Sequence, residues 1–240
     1  MDLERDAAGI GALADPLRHR LYQFVCAQPA PVSRDQAADA VGIPHHQAKF
    51  HLDRLTAEGL LETGYARLTG RSGPGAGRTA KLYSRAARDI AVSLPQREYE
   101  LAGRLMAAAI ARSATTGEPV VEVLNRIAHD YGQTIGATAA RPADAAAALE
   151  LALGVLSKHG YEPRRVSGEV QLANCPFHAL AQEQTELACN MNHALITGVA
   201  DALAPHGPDA RLQPGADRCC VVLTCPSGPA NRPRRRTSAR

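Results

Sequence analysis

The chain has no tryptophan, three phenylalanines and six tyrosines among its 240 residues. Its cores must therefore be built from Leu, Val and Ala rather than from rings. No apolar run approaches the roughly 20 residues that a membrane span needs. The opening Met1-Asp-Leu-Glu-Arg-Asp is charged where a secretory signal is apolar. These absences predict a cytoplasmic protein with no membrane partner. In that compartment the six cysteines are not expected to pair as structural disulfides, and any clustering among them points to metal or redox chemistry. What is present in quantity is apolar residues, 45% of the chain, in a length that exceeds the usual single domain.

Residues 33 to 83 form one continuous pattern. Asp15-Pro16 is an N-cap followed by a first-turn proline, and Leu17, Leu21, Phe24 and Val25 follow at helical spacing, which predicts a helix over 15–28. Ser33 and Gln36 have the spacing of a capping box for a short helix over 33–40. Val41-Gly42-Ile43 is the turn. From Pro44 a second helix runs to Gly59, with Ala48, Leu52 and Leu55 on its apolar face and His45, His46, Gln47, Lys49, Phe50 and Arg54 on the other. His51 is expected to tuck against the domain. Two strands then flank a basic, glycine-rich hairpin, Arg71 to Arg78. That order predicts a winged helix-turn-helix, with the second helix in the major groove of double-stranded DNA. Gln47 suits adenine, Lys49 suits guanine or a phosphate, and Phe50 suits a thymine methyl, while Arg71 or Arg78 suits the minor groove.

Charge agrees with this placement. Residues 43–88 hold eight basic side chains, Lys81 among them, against three acidic ones, whereas residues 91–225 hold ten against fourteen. The whole-chain charge of +3 hides a local basic footprint of the kind that draws phosphate by releasing counterions. The stretch from Ala40 to Pro44, Ala48-Lys-Phe-His51 through Gly59-Leu-Leu, and Gly77 through Lys81-Leu-Tyr83 resemble the winged-helix domain of ArsR/DeoR-like bacterial regulators. The resemblance covers about the first third of the chain.

The remainder predicts a mainly α protein with a small β component. The expected division is a winged helix-turn-helix domain at 1–90, a helical linker and dimerisation region at 91–140, an α+β metal-binding sensor domain at 141–225, and a disordered basic tail at 226–240. Leu101, Leu105, Met106 and Ile110 mark a long helix over 98–112, suited to pairing with its twin in a homodimer. Val121, Leu124, Ile127 and Tyr131 mark an inward face over 118–138, and 143–159 forms another helix. A strand is expected over 166–172, a helix over 179–203, a short strand at Arg211 and a last one over 219–225.

Five of the six cysteines fall between Cys175 and Cys225, whereas Cys26 sits at apolar spacing and suits a core. Thiols from several separated segments suit soft ions and iron-sulfur clusters. Cys175 and Cys189 are the first two candidate ligands. Neighbours in a strand face opposite ways, so Cys219 and Cys220 compete for third place, Cys219 slightly ahead. His178, Cys220, a water or an added thiol remain open as the fourth. Cys175-x-x-His178 with Cys189-x-x-x-His193 offers a Cys2His2 zinc site instead.

Asn174-Cys-Pro-Phe-His178, Cys189-Asn-Met-Asn192 and Cys219-Cys-Val-Val-Leu resemble the sensor domain of SufR-type iron-sulfur repressors and their actinobacterial relatives. The resemblance implies an iron-sulfur cluster, taken here as 4Fe-4S, with Cys175, Cys189 and one of Cys219 or Cys220 as ligands. It also implies control of genes for cluster assembly or redox defence. The expectation is a homodimeric repressor on an inverted-repeat operator, gated by that cluster. Two rivals stand beside it: a winged-helix regulator with zinc and a small-molecule or redox signal, and an enzyme using Glu183 or Glu186 beside the thiols.

Overall fold

The local chemistry of helix starts and stops is carried through into the structure. In the computed structural model, which describes residues 3–66, 79–215 and 218–225, the chain divides into two units, Met1–Val92 and Ser93–Arg240. The described part is mainly helical with two small sheets.

The first unit begins with α1 (Leu3–Ala12), a helix that the sequence pattern does not announce. Its buried residues are Asp6, Gly9 and Ala12, while Leu3 and Ile10 are exposed, so no apolar stripe reveals it. Asp6 is ion-paired with Arg88, which ties α1 to the end of the unit. α2 (Pro16–Ala27) starts at Asp15, whose carboxylate accepts from the Leu17 and Arg18 N–H groups at 2.9 and 3.0 Å. After β1 (Val32–Ser33), α3 (Arg34–Val41) opens on a complete capping box: Ser33 N–H donates to Gln36, and Gln36 N–H donates to the Ser33 hydroxyl. Gly42, at φ 73°, closes α3 in the left-handed conformation that glycine adopts without strain.

α4 (His45–Ala57) follows, then β2 (Leu61–Ala66) and β3 (Ala80–Arg85), in an antiparallel sheet ordered β1-β3-β2 with Tyr65 opposite Lys81. Leu21, Leu52, Leu55 and Leu61 are buried at the centre with Ala37, Ala48 and Tyr83. Each such leucine contributes about 1.5–3 kcal/mol by leaving water. Arg71 and Arg78 of the hairpin lie outside the described residues, as does the 226–240 tail.

In the second unit α5 (Tyr99–Thr116) and α6 (Val120–Gly136) share one core with α7 (Ala145–Lys158), which is capped by Asp144. The 91–140 stretch thus contributes Leu101, Leu105, Val123 and Leu124 to the same core as Leu149, Leu156, Leu172 and Ile196. Val121, expected inward, is exposed, as is Ile110 of the helix expected to pair with its twin. The strand expected over 166–172 is a hairpin instead: β4 (Pro163–Val166) turns through Ser167 and Gly168, both at positive φ, into β5 (Glu169–Leu172). The helix expected over 179–203 is broken at Gln184 into α8 (His178–Glu183) and α9 (Thr185–Asp201). β6 (Asp209–Leu212) and β7 (Val221–Thr224) complete an antiparallel sheet ordered β4-β5-β7-β6.

α6 and α9 approach until their backbones touch. A Cβ added at Gly132 meets the Leu195 carbonyl oxygen at 2.0 Å, and one added at Gly198 meets that of His129 at 2.1 Å. Gly132→Ala is expected to destabilise the unit by about 1–3 kcal/mol or more, because neither helix can retreat without opening the shared core. Urea unfolding followed by far-UV circular dichroism measures this, and an unchanged midpoint contradicts the close approach.

Candidate functional site

α4 presents its polar side chains as the sequence pattern requires, because Ala48, Leu52 and Leu55 dock on the core and leave His46, Gln47, Lys49 and Phe50 exposed. Phe50 is 65% exposed, so its ring is open to a partner on this face of α4. His51 is buried and meets the edge of the Phe50 ring. Lys49 forms no ion pair among the described residues, and it lines a cleft of about 470 Å³ with Ser33, Arg34, Asp35, Tyr65 and Lys81. That cleft joins the start of α3 to α4 and the two wing strands.

Three expected DNA contacts are held by partners within the unit. His45 Nδ1 lies 2.7 Å from Asp35 and its Nε2 3.6 Å from Asp39, so it bridges α4 to α3. Arg54 is paired with Glu58 at 2.6 Å. Lys81 Nζ donates to Asp53 at 2.6 Å, beside a 3.0 Å hydrogen bond from the Tyr83 hydroxyl, and thereby fastens the wing to the helix.

Burial pushes the Asp53 carboxyl up, but the hydrogen bonds from Lys81 and Tyr83 outweigh burial and hold it below the ordinary carboxylate range. A carboxyl lowered in the folded state stabilises it above the ordinary value, about pH 4, and that contribution is lost as pH falls through the lowered value. Asp53→Asn is therefore expected to flatten the acid limb of stability below about pH 4. Urea midpoints across that range test it, and an acid limb identical to the parent's refutes the linkage.

In the second unit the β5–β7 ladder pairs Val170 with Leu223 and Gln171 with Val222. Beyond the ladder, Cys219 N–H donates to the Leu172 carbonyl at 2.8 Å, bringing the segment after β5 against the one before β7. Cys175 stands in the first segment, and Cys219 and Cys220 stand in the second. Because β7 begins only at Val221, strand alternation does not separate the paired cysteines, contrary to the expectation that they compete. Cys219 lies near enough to Cys175 and Cys220 for these thiols to shift one another's ionisation, and Cys189 on α9 acts on Cys220 in the same way. Four thiols from three segments are thus electrostatically linked.

Cys219 is 1% exposed and accepts a 3.1 Å hydrogen bond from the Asn192 amide. The thiols of Cys175 and Cys220, acting against burial, hold the Cys219 thiol well below its ordinary value. Cys175 and Cys220 are pushed up in return, by their hydrogen bonds to Cys219 and by burial. A single negative charge shared by neighbouring thiols is the state this crowding favours, since a second charge would meet the first in a dry pocket.

Asn192, 1% exposed, accepts 2.5 Å from the Tyr161 hydroxyl, so the sulfur is backed by a buried Tyr-Asn relay. Asn174 is framework. Its amide donates to the carbonyls of Gln96 and Gly160, and its oxygen accepts from Arg97, which also donates to the Cys175 carbonyl at 2.7 Å. Glu98 N–H donates to the Pro176 carbonyl. Residues 174–176 are thereby stitched to 96–98. Tyr161 and Arg97 carry no signal in the sequence, and Asn192 has only a weak one, a polar residue on the apolar face of α9.

The histidines do not join the thiols. His193 Nε2 is 3.1 Å from the Ala210 carbonyl, and His178 is exposed, so the Cys2His2 set is not brought together. Cys225 is exposed at the end of β7, and Cys26, expected in the core, is half-buried beside Tyr22. Among the described residues, no group of three or more His, Cys, Asp or Glu side chains is arranged to hold a metal ion as placed.

Residues 13–64 match the family model described as a helix-turn-helix domain. No curated protein and no solved structure matches the chain. The match coincides with α2 through the start of β2 and supports a DNA-binding transcriptional regulator. Among the described residues no helix is long and apolar enough to cross a membrane.

Proposed function

We propose that the chain is a homodimeric transcriptional repressor whose hold on an inverted-repeat operator is set by an iron-sulfur cluster, of the 4Fe-4S type, at Cys175, Cys189, Cys219 and Cys220. The observation that carries this reading is that thiols from the β5 end, α9 and the β7 start are near enough to shift one another's ionisation. Four sulfurs are the donor set that such clusters take, and the Asn192 N–H aimed at Cys219 is the kind of hydrogen bond that tunes a ligating sulfur. Holding the cluster requires all four thiols to give up their protons, which also relieves the crowding of S–H groups around one anion. When bound, the cluster supplies an oxygen-labile, redox-active centre.

The strap between 174–176 and 96–98 supports a route to the DNA. Any change in where Cys175 sits reaches Gln96, Arg97 and Glu98, at the threshold of α5 and a few residues beyond Val92. Two copies would place two α4 helices on half-sites about one helical turn apart. Purification without oxygen, followed by iron, sulfide and zinc analysis and a visible spectrum, tests the cofactor. About four iron and four sulfide per chain are expected. One zinc per chain with no iron overturns the iron-sulfur reading and leaves a zinc-holding regulator.

A further inference from the structure

A second feature of the C-terminal unit is a cleft of about 290 Å³ that includes Cys175 in its lining, together with Arg97, Glu162, Asn174, His178 and Arg218. Its charges are unbalanced. Neither Arg97 nor Arg218 forms an ion pair among the described residues, while Glu162, the one carboxylate among the described lining residues, has Arg164 at 3.8 Å. Both guanidiniums are held in place by oxygens that carry no full charge. Arg97 Nη1 donates to Asn174 Oδ1 and the Cys175 carbonyl, and Arg218 Nη1 donates to the Cys219 carbonyl at 3.2 Å. Gly215 makes room for the Arg218 side chain, since a Cβ there would meet Arg218 Nε at 2.5 Å. Asn174 is buried with its amide already used, so it frames the cleft and leaves the arginines to face a ligand.

Two anchored guanidiniums with no ion-pair partner among the described residues, and a histidine at the rim, have the chemistry for an anion with at least two oxygens, because guanidinium matches carboxylate and phosphate in a forked geometry. The volume sits at the small end of ligand pockets and suits a metabolite-sized molecule. We infer that this cleft binds a small carboxylate or phosphate anion beside Cys175. The inference stands on the arginines and the cleft, and it does not depend on a metal at the thiols. An occupant there bridges the two thiol-bearing segments, through Arg97, which is hydrogen-bonded to the Cys175 segment, and Arg218, which stands in the other, and it covers Cys175.

The test is calorimetric titration of the reduced full chain, at constant ionic strength, with inorganic phosphate in one arm and malonate in the other. Saturable binding at one site per chain is expected in at least one arm, and the tighter arm identifies the anion class. Arg218→Gln, which gives up a single backbone contact, is expected to weaken that binding at least tenfold. Lys49→Ala on the DNA-binding helix is expected to leave it unchanged. His178→Ala, at an exposed position, is expected to weaken it by a smaller factor. Absence of saturable binding in both arms up to about 10 mM overturns the site. So does binding that survives Arg218→Gln and disappears in Lys49→Ala, because the anion then sits on the DNA-binding face.

Discussion

Cys219→Ser is expected to strip iron and sulfide from the anaerobically purified protein and to erase the difference in operator affinity between its anaerobic and air-exposed forms. Cys219 is the hub of the thiol chain. Its ionisation is shifted by Cys175 and Cys220, it accepts from Asn192, and it is held by its own N–H to the end of β5. Serine keeps the size and the backbone contact but replaces a soft anion with a hydroxyl that stays protonated at neutral pH, so one corner of the donor set is lost. Coupling between two sites in a regulator is typically 5–150-fold in affinity, and that is the difference expected to fall to none. Arg97→Met separates holding from signalling. It leaves all four sulfurs in place while removing the hydrogen bonds to Asn174 and the Cys175 carbonyl, so iron content is expected to persist and the state-dependent difference to shrink. A Cys219→Ser protein that still changes operator affinity on exposure to air removes this centre from the regulatory scheme.

The parts of the molecule legible in the sequence are those whose physics is local. Asp15 before Pro16, Ser33 with Gln36, and Gly42 each fix a helix end within four residues, so α2 and α3 fall where their caps put them. α1 is hidden because it is buried through Asp6, Gly9 and Ala12, and its anchor, Arg88, lies 82 residues away. The same separation in sequence conceals the partner of Lys81 within the unit. Its basic charge near the wing suggests a DNA contact, yet Asp53, 28 residues earlier, is its partner. In the second unit the cysteines stand out by type and clustering, but period-2 reasoning divides Cys219 from Cys220, because nothing local marks β7 as starting two residues late. Asn174 and Asn192 are conspicuous as buried amides only once Gln96, Gly160, Tyr161 and Cys219 surround them.

Operator binding is expected to fall on the order of 100-fold or more when His46, Lys49 and Phe50 are all changed to Ala, since each base contact contributes about 1–3 kcal/mol of recognition. These three side chains share the exposed face of α4, and none of them forms an ion pair among the described residues. His45 is committed to Asp35 and Asp39, Arg54 to Glu58, and Lys81 to Asp53. They are also the positions whose loss the fold tolerates, because the docking stripe of Ala48, Leu52 and Leu55 is untouched. Circular dichroism and urea stability of the triple variant should match the parent, which separates loss of contact from loss of structure. Lys49→Ala alone is expected to reduce the slope of log affinity against log salt by about one, the signature of one phosphate contact, and Phe50→Ala alone to leave that slope unchanged while weakening binding. The opposite assignment predicts otherwise: were Lys81 the phosphate contact, Lys81→Met would change the salt slope and Lys49→Ala would not. That outcome would move the DNA from the recognition helix to the wing and require Asp53 to release Lys81 on binding.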